Sequence, residues 1–244
     1  MSAVRARLLF VASALLVASV APAETVDQIV ARQVAARGGR EALAAVRTLR
    51  MTGHADAGPG RHAIVRREFA RPGRLRTEFE FQGTTGVYVW NGTSGWQVSP
   101  LDGQLDVGPL SPEAAALSAE QADIEGPLVD WKAKGHSVEL LGRAELPGGA
   151  ADELKVTLKS GVVRHVWVDA KSSLMVKTAS TRKVKGHETT FEVVYGDYRE
   201  TAGVRFARSI EIETRGRPQR LRIVVDSVEV NPPLDDSRFS AMQP

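Results

Sequence analysis

The chain has 244 residues, of which 43% are apolar and 25% charged, with 22 Gly, 12 Pro, no Cys and a formal net charge of +3. That composition is globular and excludes a disordered, collagen-like or multi-spanning membrane protein. The absence of Cys excludes disulfides, thiol chemistry, Fe–S clusters and cysteine-based zinc sites.

The first element in chain order reads as an export signal. Arg5 and Arg7 form a basic start, Leu8 to Val20 carry no charge, and Ala21-Pro22-Ala23 supplies the small residues of a cleavage site. Cleavage is expected after Ala23, leaving residues 24–244 as a single domain. The thirteen uncharged residues Leu8 to Val20 are too few for a membrane span, which needs about 20. With no Cys at the cleavage site, the exported protein is expected to be soluble and not lipid-anchored. Losing residues 1–23 removes two arginines and no acid, which brings the formal charge from +3 to +1. A nearly neutral protein has no bulk electrostatic reason to bind nucleic acid.

A helix follows. Thr25 and Gln28 have the spacing of a capping box, and Val26, Ile29, Val30 and Val34 recur at helical period. Gly38-Gly39 stops it, and a second short helix is expected over Glu41–Val46. From about residue 48 the period changes to two. Over 74–81, Leu75, Thr77, Phe79 and Phe81 alternate with Arg74, Arg76, Glu78 and Glu80. Similar runs cover 48–55, 61–70, 86–91, 95–99, 137–146, 153–159, 162–169, 173–178, 189–198, 204–213 and 219–230, separated by Gly, Pro and Asn turn chemistry. About eleven strands in mostly hairpin order predict a mainly β, α+β fold with one large antiparallel sheet that must curl or close. Pro109 to Lys134 interrupt the series. Ser111 is an N-cap with Pro112 after it, an Ala-rich run extends to about Ala122, and Ile124, Leu128, Val129 and Trp131 complete a helical insertion.

Enzyme constellations are missing from the sequence. Gly92-Thr93-Ser94-Gly95 sits at a hairpin turn and is no nucleophile elbow, and His187-Glu188 lacks the second His of a zincin. The five His are scattered; His54 and His62 could face each other on neighbouring strands, without a carboxylate to complete a site. Asp102 and Asp106 lack the ligand density of a calcium loop. A non-enzyme without cofactor or metal is therefore expected. Arg61, Arg66, Arg67, Arg71, Arg74 and Arg76 form one basic run, and Arg182, Lys183, Lys185 and His187 a second. Each is either a solvated face paired with acids such as Glu68, Glu78 and Glu80, or a docking surface for anionic lipid head groups or a membrane-protein partner.

The apolar pattern carries more information. Phe79, Phe81, Val87, Val89, Trp96 and Val98 lie on successive strands, and together with Leu75 they are expected to line one concave apolar face. Leu117, Leu128 and Trp131 of the insertion are expected to belong to a lid. Periodicity does not decide whether the helices fill that concavity as core or only cover a cavity.

Several stretches resemble periplasmic proteins of the outer-membrane lipoprotein carrier (LolA-like) superfamily. They are Ala36-Arg37-Gly38-Gly39 with Leu43, Val46 to Gly53, Gly95 to Pro100, Gly126 to Trp131, and Asn231-Pro232-Pro233 with Asp235 to Phe239. The resemblance is closest to a lipoprotein-sorting-like branch, and none of these motifs is catalytic. It implies an incomplete, strongly curved antiparallel barrel whose open mouth is lidded by helices and whose interior receives acyl chains. The expected function is a soluble periplasmic carrier or binding protein for a lipid or an acylated lipoprotein. The alternative is a periplasmic sensor or interaction protein that binds a peptide or membrane-protein partner with the same fold, through the face from Arg61 to Arg76.

Overall fold

The computed structural model describes residues 24–101, 104–184 and 186–240. The expected export signal and Lys185 lie outside them. Helix α1 (Val26–Ala36) opens the described chain. Its capping box forms as the sequence predicts: the Gln28 amide donates to the Thr25 hydroxyl at 3.3 Å, and the Thr25 amide donates to Gln28 Oε1 at 2.8 Å. Ile29, Val30, Gln33 and Val34 form its buried stripe. Helix α2 (Gly39–Ala45) begins two residues earlier than expected. Between them Gly38 adopts φ +120°, and a Cβ there would stand 1.9 Å from the Gly203 carbonyl oxygen. Only glycine allows this corner to rest on the sheet.

Thirteen strands follow: β1 (Thr48–Asp56), β2 (His62–Ala70), β3 (Arg74–Phe81), β4 (Thr84–Trp90), β5 (Gly95–Leu101), β6 (Gln104–Pro109), β7 (Ser137–Leu146), β8 (Gly149–Thr157), β9 (Val163–Asp169), β10 (Met175–Val184), β11 (His187–Thr201), β12 (Val204–Thr214) and β13 (Arg220–Val230). Helix α3 (Pro112–Gln121) lies between β6 and β7, and a 3-10 turn (Asp236–Phe239) follows β13. The expected count of about eleven missed β6, whose residues read as part of a turn.

All strands join one antiparallel sheet in the order β6-β5-β4-β3-β2-β1-β13-β12-β11-β10-β9-β8-β7. This corrects the expectation of an incomplete, strongly curved barrel: the sheet is open, and β6 and β7 each have a single neighbour. The physical reason lies in the connection. β6 and β7 are consecutive, but the excursion through α3 replaces the hairpin that would have paired them. The second half of that excursion is also not helical. Residues 127–135 are a series of turns, and the Arg37 guanidinium holds the chain just before them by donating to the carbonyls of Glu125 and Ile124.

The two faces of the sheet bury different cores. On one face α1, α2 and the segment after α3 cover Leu49, Phe69, Leu75, Leu154, Val166 and Phe206. On the other, Ala70, Val87, Val89, Trp96 and Val98 pack beneath Leu234 and Phe239 of the C-terminal segment.

Candidate lipid-binding face

Strand register decides which of the expected lining residues share a face. The β3–β4 hairpin turns through Gln82 (φ +50°) and Gly83 (φ +77°), a two-residue loop that pairs Phe81 with Thr84. Phe79 therefore stands opposite Gly86, Leu75 opposite Trp90, and Val87 opposite Glu78. Adjacent partners across a ladder point the same way, so Val87 and Val89 share a face with Glu78 and Arg76, not with Phe79. β5 continues the division, because Val98 pairs with Val87 and Trp96 with Val89. The expected set is split: Leu75, Phe79 and Phe81 lie on the helix-bearing face, and Val87, Val89, Trp96 and Val98 lie on the opposite one. There the indole of Trp96 donates to the Ser240 carbonyl at 2.7 Å, and Phe239 is buried against the same cluster. The insertion residues divide as well. Leu128 is fully buried in the helix-face core and Trp131 packs against it, whereas Leu117 is exposed on α3.

Beyond that core, the helix-bearing face is incompletely covered. Phe79 and Phe81 are half-buried, as is Val65, which pairs with Phe79. The Phe79 ring lies across Gly86, where a Cβ would stand 2.0 Å from it, and stacks on Tyr88 with centroids 5.8 Å apart. Across β1, whose Gly53 and Ala55 keep this face low, Ile223 of β13 pairs with Ile210 of β12, and Leu221 with Ile212. Ile210 and Ile212 pair in turn with Tyr195 and Val193 of β11. All of these are half-buried. These residues on β11 to β13 were missed, although the signal was present. Ile210 and Ile212 alternate with Glu211 and Glu213, and Leu221 and Ile223 with Arg220 and Arg222, as in β3, although Val194 interrupts the pattern on β11.

Helix α3 approaches this face at β3 and β4, and none of its residues is fully buried. Polar bonds hold its C-terminal end. Glu120 accepts from Arg164 of β9 at 2.8 Å and from Arg182 of β10 at 2.6 Å. The next residue, Gln121, accepts from Arg67 of β2 at 2.9 Å. Arg67 also lies over the Phe69 ring, 5.0 Å from its centroid. Burial pushes the Arg67 guanidinium down to about 10. Beside this helix, a cavity of about 740 Å³ is lined by Ala116, Ala119, Ile124, Pro127, Leu158 and Arg164, among others.

The first basic run does not make one surface. Arg67 points to the helix-bearing face. Arg71 donates to the Val46 and Leu43 carbonyls and pairs with Glu125 at 2.8 Å. Arg74 pairs with Asp236, and Arg66 and Arg76 with Glu78. In the second run Arg182 faces inward to Glu120. His54 and His62 do not form a pair: His54 contacts Asp226 at 3.1 Å and His62 contacts Asp56 at 3.5 Å. Among the described residues no group of three or more His, Asp or Glu is placed to hold a metal ion. Among them, too, no helix is long and apolar enough to cross a membrane.

This architecture has solved counterparts. A domain from Vibrio parahaemolyticus named for outer membrane lipoprotein sorting is 14% identical, with a TM-score of 0.57 over 88% of this chain and 95% of that one. A LolA superfamily protein from Nitrosomonas europaea is 14% identical, with a TM-score of 0.54 over 89% and 98%. A DUF1329 family protein from Desulfovibrio piger is 12% identical, with a TM-score of 0.58 over 88% and 97%. The likeness is one of fold. No protein-family model and no curated protein matches the sequence.

Proposed function

We propose that this chain is a non-enzymatic periplasmic carrier or binding protein for a lipid or for the acyl chains of a lipoprotein. In this reading residues 1–23 are a cleaved export signal and residues 24–244 form one soluble domain. The observation that carries it is the half-buried apolar area on the helix-bearing face, flanked by a helix none of whose residues is fully buried. A stable core helix covers an apolar stripe. Helix α3 instead is held by Glu120 and Gln121, which leaves Phe79, Phe81, Ile210 and Ile212 without complete cover. An acyl chain laid on such a surface gains about 0.8 kcal/mol for each methylene removed from water. The fold shared with a lipoprotein-sorting domain and a LolA superfamily protein agrees with this reading.

The test is native mass spectrometry of protein purified from the periplasm, followed by organic extraction of what co-purifies. A stoichiometric lipid adduct is expected. A bare protein mass, unchanged after incubation with total membrane lipid, would overturn the proposal and favour a partner-binding protein.

A further inference from the structure

Resting on that reading, we infer that the ligand is an amphiphile with an anionic head group. Arg67 binds the head, and the chain lies along Val65, Phe79 and Phe81.

Arg67 is unlike the other arginines around it. Arg66, Arg71, Arg74 and Arg76 each have a carboxylate within 3.5 Å. Among the described residues Arg67 has none, and its one hydrogen-bonded acceptor is the neutral amide oxygen of Gln121. A guanidinium carries five N–H donors in a planar fork suited to carboxylate or phosphate, so most of its capacity is unused. The buried side-chain nitrogens without a partner are Arg74 Nε and Arg208 Nε, not those of Arg67. The free donors of Arg67 therefore border accessible space. Arg67 is itself half-buried, and the Phe69 ring shields one face of its guanidinium from water. A half-buried guanidinium with accessible donors fits the wall of a binding space.

The neighbours give the rest of the ligand. Arg67 and Val65 are two residues apart on one face of β2, and across the ladder they pair with Thr77 and Phe79. Phe81 continues the apolar row, and Thr77 offers a hydroxyl beside the guanidinium. One positive group thus sits at the end of an apolar strip, and the complementary molecule has one negative group at the end of an apolar chain. The bond to Gln121 and the Phe69 ring account for one edge of the guanidinium and one of its faces, and the remaining donors are open to an anion.

The experiment compares molecules with one chain length: laurate, dodecyl phosphate and dodecanol, each titrated calorimetrically below its micelle concentration into the intact protein. The parent protein is expected to bind at least one of the acidic compounds about tenfold or more tighter than dodecanol, the range of a charge-assisted hydrogen bond. Which acid binds better identifies carboxylate or phosphate as the head group. Arg67→Met is expected to abolish that preference while keeping dodecanol binding, and Arg67→Lys to retain part of it. Far-UV circular dichroism establishes that each variant is folded. Equal binding of all three by the parent protein, or a preference unchanged in Arg67→Met, would overturn this inference and leave the carrier reading standing. Binding of none of them overturns both. Acetate or inorganic phosphate binding as tightly as the matching amphiphile would make Arg67 a site for a free anion, and that also overturns the inference.

Discussion

Arg238, in the 3-10 turn near the C-terminal end, bonds the carboxylate of Glu68 on β2. Glu68 is only 1% exposed, and its other oxygen accepts from Arg50 at 2.9 Å. One buried acid therefore ties the C-terminal segment to the centre of the sheet, on the face opposite the helices. Removing one partner of a buried pair leaves charge without compensation. Glu68→Ala is expected to cost about 3 kcal/mol or more in urea unfolding. A loss below about 1 kcal/mol, the scale of a surface pair, would show that the contact is not structural.

The two faces of the β3–β5 region are expected to respond differently. Trp96→Ala removes a ring from the closed core beneath Phe239 and should cost about 3–5 kcal/mol while leaving lipid affinity unchanged. Phe79→Ala, at a half-buried position, should cost less than that range and weaken lipid binding. Thermal melts and lipid titrations on both variants, at a temperature where each is folded, check the pair. The opposite assignment of effects would return Trp96 to the ligand face.

Glu120 alone joins α3 to both Arg164 and Arg182. With no buried side chain to hold it otherwise, the helix should loosen in Glu120→Ala. Faster amide hydrogen exchange over 112–121, with β9 and β10 still protected, is the expected result. Unchanged exchange would place the anchoring of α3 elsewhere.

His136 supplies a pH dependence. Burial, reinforced by the nearby Lys134 charge, holds its pKa below the ordinary value. Its Nδ1 accepts the Lys159 amide proton at 3.0 Å, which requires the neutral ring. Because the folded form resists protonation, this contribution to stability is present above the unfolded value of about 6.5. It is lost as pH falls through the lower folded value. NMR titration should find His136 below 6.5, and stability should fall less steeply with acid in His136→Asn. A His136 pKa at or above 6.5 would contradict the assignment.

Much of the fold was legible because its signals are local. Thr25 and Gln28 encode the start of α1, Ser111 and Pro112 the start of α3, and alternation in 74–81 encodes β3. The face of each strand was less so. Apolar residues on β3 and on β4–β5 read as one set, yet the two-residue turn at Gln82-Gly83 places Phe79 opposite Gly86 and sends Val87 to the other side. Turn length was the information needed, since a shift of one residue exchanges the faces. Leu128 and Trp131 read as lid residues because apolar spacing does not distinguish a helix from a turn-rich segment pressed into a core. Closure of the sheet depends on whether β6 meets β7, a relation between distant positions that no local pattern encodes. Arg67 was one of six similar arginines in the sequence, and its place beside Val65 and Phe79 with an amide as its only bonded acceptor emerges only from the three-dimensional register.

A sheet that does not close keeps two rows of backbone groups able to template a strand from another molecule. Both rows carry irregularities that oppose such growth. In β7 the ladder skips Leu141 and passes through Gly142 at φ +137°, which breaks the regular spacing an incoming strand would need. In β6, Pro109 has no amide proton to offer. On the carrier reading proposed above, the protein must keep its own copies from polymerising as well as its cargo from water, and these two interruptions address that second hazard at the two places where it arises.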